Sequence, residues 1–267
     1  ETVGTTQFPE SIDTLCKKHG VITFDELLRK AEAYFRQINA QIEHVLVDEF
    51  QDVGTLEFNF IESLQAENYF LVGDDWQSIY SFKGGNVRIF MKLIEDGIFH
   101  VFYLTNNYRN SKAVLEIADT IINQVYNKID KTIIPISEEE GSVQILSKRT
   151  LPVVLKAIKD EGNYKDYFIL VRTNKDIFKL QDMCEDLELP FTTFKRDGMS
   201  LADLKRHMDS NRVKILTVHV SKGLEVKNVL LYGNFPVQCP NYMRDEEERK
   251  VMYVGITRAK ENLIIMN

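Results

Sequence analysis

The run Val45-Leu46-Val47 leads directly into Asp48-Glu49-Phe50-Gln51-Asp52. Two adjacent carboxylates at the end of an apolar strand can divide a task. Asp48 can hold a magnesium ion, usually through water, and Glu49 can orient and deprotonate a water that attacks a γ-phosphate. The plainer alternative is a solvated acidic turn. A carboxylate pair of this kind normally works opposite a loop G-x-x-x-x-G-K-[ST], whose backbone amides and lysine hold the phosphates. None of the 13 glycines is followed by lysine, so that loop is not in this chain.

Four further strings carry chemistry. In Phe70-Leu71-Val72-Gly73-Asp74-Asp75-Trp76-Gln77-Ser78-Ile79-Tyr80-Ser81-Phe82-Lys83-Gly84-Gly85 a strand delivers Gly-Asp, then a glutamine, then alternating aromatics. Tyr80 and Phe82 stand at i, i+2 beside Lys83 and two glycines, which suits an exposed loop better than a packed strand, the alternative being that both are core. Stacking of a nucleic-acid base on an aromatic ring contributes roughly 1–3 kcal/mol per base and tolerates any sequence. Tyr103-Leu104-Thr105-Asn106-Asn107-Tyr108-Arg109 offers an arginine, whose fixed charge and forked donors suit a transferred phosphoryl group. On its own, Tyr-Arg would be a surface pair. Thr217-Val218-His219-Val220-Ser221-Lys222-Gly223-Leu224-Glu225 follows the strand-like run from Val213, and Glu247 to Lys260 contains Tyr253-Val254-Gly255-Ile256-Thr257-Arg258. His219 alone reads equally well as a structural hydrogen-bonding histidine. The acidic run Asp245 to Glu248 reads as a solvated helix start, favoured there by the helix dipole.

Taken together and in this order, the strings resemble superfamily 1 DNA helicases of the UvrD/Rep type, and the Gly-Asp-Asp-Trp-Gln wording resembles the DNA helicase IV branch. The matching strings run from about residue 22 to the end of the chain. The resemblance implies an α/β protein of two RecA-like P-loop NTPase lobes with mainly parallel sheets, residues 1–100 forming a first lobe and 101–267 the second. It implies ATP and Mg2+ as cofactors, and single-stranded DNA and duplex junctions as partners, with accessory repair or replication proteins besides. By the same resemblance Asp48 is the metal ligand and Glu49 the base. Gln77 senses the γ-phosphate, Tyr108 stacks on adenine, and Arg109 and Arg258 stabilise the transferred group. Glu225, with Gly223 beside it, lies at the nucleotide ribose. Tyr80 and Phe82 stack on bases, and Thr217, His219 and Lys222 lie near the DNA backbone or the coupling path. The family moves 3′ to 5′.

Two departures stand out. The phosphate loop and its strand-helix unit are expected upstream of residue 1, which leaves the first lobe incomplete and the chain alone without appreciable ATPase activity. Only about 100 residues separate Arg109 from Val213, too few for the large inserted subdomain of UvrD and Rep. Gly85 and Gly255 where alanine is usual, and Val220 where it is frequent, are mild changes. A rival reading is a natural non-hydrolysing relative that binds DNA or protein.

Composition constrains the partners. At 267 residues and 44% hydrophobic content there is ample material for packed cores. A net charge of −7 excludes coating of nucleic acid through global electrostatics, so any contact is focal. Cys16, Cys184 and Cys239 lack metal or disulfide spacing. No apolar run approaches the roughly 18 residues of a membrane span, and there is no basic-then-apolar leader pattern, which together suggest a cytoplasmic protein, nucleoid-associated if bacterial.

The elements that must position these residues follow from periodicity. Thr23, with a glutamate three residues on, caps an amphipathic helix through Phe35. Strands are expected at His44–Val47, Tyr69–Val72, Val101–Leu104, Val143–Ile145, Tyr167–Val171, Val213–Val218, Val229–Tyr232 and Leu263–Ile265. Helices are expected at Leu56–Leu64, Val87–Ile94 and Ser111 to about Tyr126. Short apolar strands alternating with helices predict parallel sheets covered on both faces.

Overall fold

The computed structural model describes residues 12–38, 40–81, 84–193, 201–235 and 243–267. It separates into two compact units, one of residues 1–74 with 80–92 and one of residues 75–79 with 93–267.

The first unit opens with helices α1 (Ile12–His19) and α2 (Phe24–Ile38). The Glu26 N–H donates to Thr23 Oγ1 at 3.2 Å, the cap that the sequence announces. A β-α-β unit follows: β1 (His44–Val47), α3 (Thr55–Ser63) and β2 (Asn68–Leu71), then α4 (Val87–Glu95), which belongs to this unit as far as Lys92. The two strands are parallel, in register from His44 opposite Asn68 to Val47 opposite Leu71. Phe35 meets Phe60 edge-on at 5.8 Å, joining α2 to α3, and the buried Phe50 meets Phe58 and Phe90. Register places Leu46 beside Phe70, and both are exposed, at 74% and 63%. Among the described residues, one face of this small sheet therefore leaves apolar side chains exposed, in keeping with the incomplete first lobe that the sequence leads one to expect.

In the second unit β3 (Asn106–Asn107) precedes α5 (Lys112–Ile122), β4 (Ile134–Pro135), β5 (Ser142–Leu146) and α6 (Leu151–Glu161). Then come β6 (Tyr167–Val171), α7 (Asn174–Asp186), β7 (Phe191–Thr193), α8 (Leu201–Asp209) and β8 (Val213–Thr217). The chain ends with α9 (Val218–Ser221), β9 (Val226–Tyr232), α10 (Met243–Ile256) and β10 (Ala259–Met266). Six strands form one sheet in the order β5-β10-β9-β6-β8-β7, every neighbour parallel.

This sheet has the expected cover on both faces. Ile169 and Val171 of β6 pack with Leu155, Ile158 and Leu180 of α6 and α7. Phe168 and Leu170, the alternate residues, are equally buried, and α5 and α10 pack together and against β9 and β10. A strand buried on both faces must be apolar at every position, which is why Tyr167–Val171 is readable as a continuous run.

Two expectations fail. Val101–Leu104 forms no strand, and Phe102 and Leu104 are 86% and 89% exposed. A β-strand exists only where another strand accepts its backbone hydrogen bonds, and here pairing begins only at Asn106, opposite Ile134. Helix α5 stops at Ile122 rather than near Tyr126.

The start of α5 rests on the chain just before β5. The N–H groups of Lys112 and Ala113 donate to the carbonyls of Glu139 and Glu140, supplying partners for the donors that a helix N-terminus leaves open. Gly141 makes this approach feasible: at φ +66°, a Cβ on it would lie 2.1 Å from Ser111 Oγ and 2.2 Å from the Glu261 carbonyl. We expect Gly141→Ala to destabilise the chain by about 1–3 kcal/mol from overpacking alone, with left-handed backbone strain added. Urea denaturation measures this; an unchanged midpoint would contradict it.

Candidate nucleotide and nucleic-acid site

In the first unit Asp48 and Glu49 follow β1 and are exposed. Glu49 adopts φ 53°, ψ 37°, a left-handed conformation that costs an L-residue roughly 1–2 kcal/mol. Two hydrogen bonds engage it directly, and a third anchors its partner Gln51. The Glu49 N–H donates to Asp48 Oδ1 at 2.8 Å, Gln51 Nε2 donates to Glu49 Oε2 at 2.6 Å, and Gln51 Oε1 accepts from the Asp74 N–H at 2.8 Å. The wholly buried Gln51 thus ties the carboxylate pair at the end of β1 to the Gly73-Asp74 turn at the end of β2. The sequence sets Gln51 inside the carboxylate motif without indicating a task for it; its fixed spacing from Glu49 is the one signal that could have done so. Among the described residues no cluster of three or more His, Cys, Asp or Glu side chains could hold a metal by itself. Asp48 and Glu49 suit a hard cation that keeps most of its shell from water and phosphate oxygens, as Mg2+ does. Tyr80 is half-buried, and Phe82 lies outside the described residues.

In the second unit, Ala259 of β10 pairs with Val226 of β9, and the Val226 N–H donates to the Arg258 carbonyl at 3.0 Å. Glu225 and Arg258, the residues just before these strands, are therefore neighbours by topology. Arg109 joins them: its Nε lies 2.6 Å from Glu225 Oε2, and Lys260 Nζ lies 2.6 Å from Glu225 Oε1. The hydrogen bond from Lys260, ahead of the charge of Arg109, holds the Glu225 pKa below the usual carboxylate value against partial burial. An ion pair this exposed adds no more than about 1 kcal/mol to stability, so its partners can be exchanged for a ligand at little cost. Tyr108 stands 72% exposed beside it.

The placement of Arg109 depends on Asn110, a residue the motif strings do not single out. Asn107 Oδ1 accepts from the N–H groups of both Arg109 and Asn110, turning the chain. The buried Asn110 Nδ2 then donates to the carbonyls of Thr257 and Ala259 at 3.0 and 2.6 Å. One side chain thus fastens the Tyr-Arg turn to the segment that carries Arg258.

Arg258 is 1% exposed. Its Nε donates to the Val254 carbonyl, Nη1 to the Leu224 carbonyl, and Nη2 to Thr257 Oγ1 and to Gln77 Oε1, the last at 3.2 Å. Two expected phosphate-sensing residues, 181 positions apart, therefore meet. Gly223 has φ +81°, and a Cβ added to it would meet only open space, so it is a glycine for its backbone conformation alone.

The expected DNA-contacting trio is more internal than its string suggests. Thr217 caps α9 by accepting from the Val220 N–H, Lys222 is 5% exposed, and His219 is half-buried. The acidic residues near the start of α10 also differ from expectation. Glu248 makes a two-pronged pair with Arg172 at 2.7 and 2.5 Å, and Glu246 accepts from the Tyr126 N–H and Asn127 Nδ2. These carboxylates dock α10 onto other elements rather than simply facing solvent, because their partners come from positions far away in the chain.

Burial, and after it the charge of Arg172, lowers the His219 pKa, outweighing a hydrogen bond with the Ile79 backbone and the charges of Glu248 and Glu247. The unfolded chain then binds more protons than the folded one just below the ordinary histidine value of about 6.5, so stability is full above that pH and falls as pH drops beneath it. Thermal melts across this range should show His219→Gln flattening the decline; an unaltered slope would refute the assignment.

Comparison with known proteins places these features in a family. The description "UvrD/REP helicase N-terminal domain" matches residues 5–97, and "UvrD-like helicase C-terminal domain" matches residues 102–199 and 194–267. A probable DNA helicase of Mycoplasma pneumoniae is 28% identical over 92% of this chain and 47% of its own length. A probable DNA helicase II homolog of the same organism is 31% identical over 74% of this chain and 34% of its own. DNA helicase IV of Escherichia coli is 23% identical over 82% of this chain and 33% of its own. The chain spans about half, or less, of the length of these relatives. With both domain descriptions matched in order across nearly its whole length, the chain belongs to the UvrD/Rep helicase family.

Proposed function

We propose that this chain is the C-terminal portion of an ATP-dependent DNA helicase that couples ATP hydrolysis to 3′-to-5′ movement on single-stranded DNA and to duplex unwinding. Residues 1–100 contribute to a first lobe and 101–267 form a second. The observation that carries the reading is the bond between Gln77 and Arg258, which joins two motifs that a simple binding module has no need to join.

Each side chain has a task in this reading. Asp48 would hold Mg2+, and Glu49, steadied by Gln51, takes a proton from the attacking water. The bound cation supplies charge neutralisation at the phosphates. Tyr108 offers its exposed ring to adenine, and Glu225 accepts from the ribose once Arg109 turns toward the phosphates. Arg109 and Arg258 neutralise charge developing on the transferred group, and an arginine so used contributes several powers of ten in rate. Gln77 reports the state of that group to the segment leading to Tyr80, which stacks on DNA bases with Phe82, while Thr217, His219 and Lys222 serve the DNA backbone or the coupling path.

The sequence contains no Gly-Lys-[Ser/Thr] loop. The 267-residue chain should therefore hydrolyse ATP negligibly even with saturating single-stranded DNA. The full-length protein should hydrolyse it, and Glu49→Gln should abolish turnover there while nucleotide is still bound. Steady-state phosphate release measures turnover in all three; turnover by the isolated chain comparable with intact helicases, or none by the full-length protein, would overturn the proposal.

A further inference from the structure

The five residues Asp75 to Ile79 belong to the second unit although the residues on either side of them do not. Something specific must hold so short a segment. Asp75 is 0% exposed, and both its carboxylate oxygens are occupied: Oδ2 accepts from the Ile129 N–H at 2.7 Å and Oδ1 from Lys131 Nζ at 3.1 Å. The next residue grips the same stretch of backbone, since Trp76 Nε1 donates to the Ile129 carbonyl at 2.9 Å. Lys131 also lies 4.6 Å from the centre of the Trp76 ring, at cation–π range. Tyr253 of α10 meets that ring edge-on at 5.6 Å. No motif in the sequence marks out Ile129 or Lys131.

The tryptophan is 2% exposed, so packing as well as hydrogen bonding holds it. One side of it borders a cavity of about 270 Å3 lined also by Leu115, Ile133 and Pro135. Packing confines the ring, and the indole bond and the carboxylate bonds, being directional, fix how it is turned. They therefore set the orientation of the segment, and Gln77 is the residue that follows. Its Oε1 sits on Arg258 Nη2, and Arg258 in turn bonds to Val254 of the helix that carries Tyr253.

We propose that Asp75, Trp76 and Lys131 form a positioning clamp that fixes Gln77 against Arg258. Lys131 touches no reacting group; it acts through Asp75 and Trp76. When the clamp is loosened, Gln77 no longer restrains the guanidinium, and the two sensing side chains respond to phosphate separately. The consequence for hydrolysis rests on the function proposed above, but the clamp itself does not.

The test uses both levels. Trp76 is the only tryptophan, so its indole proton gives a single unambiguous NMR signal. In the 267-residue chain, Lys131→Met should shift that signal and speed exchange of the Arg258 guanidinium protons at least about tenfold. Lys131→Arg should restore both. Trp76→Phe, which keeps a ring but loses the indole donor, should likewise speed Arg258 exchange and provides a second route should Lys131→Met fold poorly. Unchanged Arg258 exchange in the folded variants would overturn the clamp, whatever the protein does with ATP. In the full-length protein Lys131→Met should lower kcat about tenfold with KM unchanged, and adding Gln77→Ala should lower it little further. Fully additive losses would mean that Lys131 serves stability alone. Absence of hydrolysis in the unmodified full-length protein would instead count against the proposed function and leave the exchange result to decide the clamp.

Discussion

The parallel register of β9 with β10 is the constraint on which the second unit's chemistry depends. Pairing of Val226 with Ala259, with the Val226 N–H on the Arg258 carbonyl, brings Glu225 and Arg258 together through backbone bonds alone. Because side chains alternate along a strand, a slip of one residue would turn Leu263, Ile265 and their partners away from the core. The register shifts by one residue between Ala259 and Asn262, so the apolar interior fixes Leu263 and Ile265, while the entrance is held by its own bond from the Val226 N–H to the Arg258 carbonyl. Asn110 extends the same logic to a third segment, since its amide reads the carbonyls of Thr257 and Ala259 directly.

Electrostatic arrangement follows from this scaffold. Arg258 is buried and donates to the Val254 and Leu224 carbonyls, to Thr257 Oγ1 and to Gln77 Oε1. Arg109 is the opposite case, exposed and paired with Glu225. The two arginines therefore differ in setting, one exposed and ion-paired, the other buried.

Much of the fold is legible in the sequence because buried parallel strands leave a continuous apolar signature. His44–Val47 and Tyr167–Val171 have the boundaries that their side chains indicate. Val101–Leu104 carries the same signature yet is no strand, because pairing is a property of two segments and periodicity reports only one. The site shows a similar division. The motif strings name Glu49, Gln77, Arg109 and Arg258, but the left-handed turn at Glu49 and the bridge through Gln51 depend on the Gly73-Asp74 turn, beyond any local window. The acidic run before Arg249 looks solvated in sequence for the same reason. Its partners, Arg172 and the turn after α5, lie 76 and 120 residues away.

The uncovered face bearing Leu46 and Phe70 has a consequence for how the molecule breathes. Two four-residue strands share a single ladder, and half the side chains on them lose little contact with water when the ladder forms. The six-stranded sheet cannot open without exposing Ile169, Leu170, Ile215 and Leu230 together. Local unfolding should therefore be graded along the chain, with amides of β1 and β2 exchanging through frequent small openings and those of β6, β8 and β9 only through rupture of the whole second core. The carboxylate pair Asp48-Glu49 sits on the more labile of these two cooperative units, so whatever braces β1 and β2 also governs how long that pair keeps its shape.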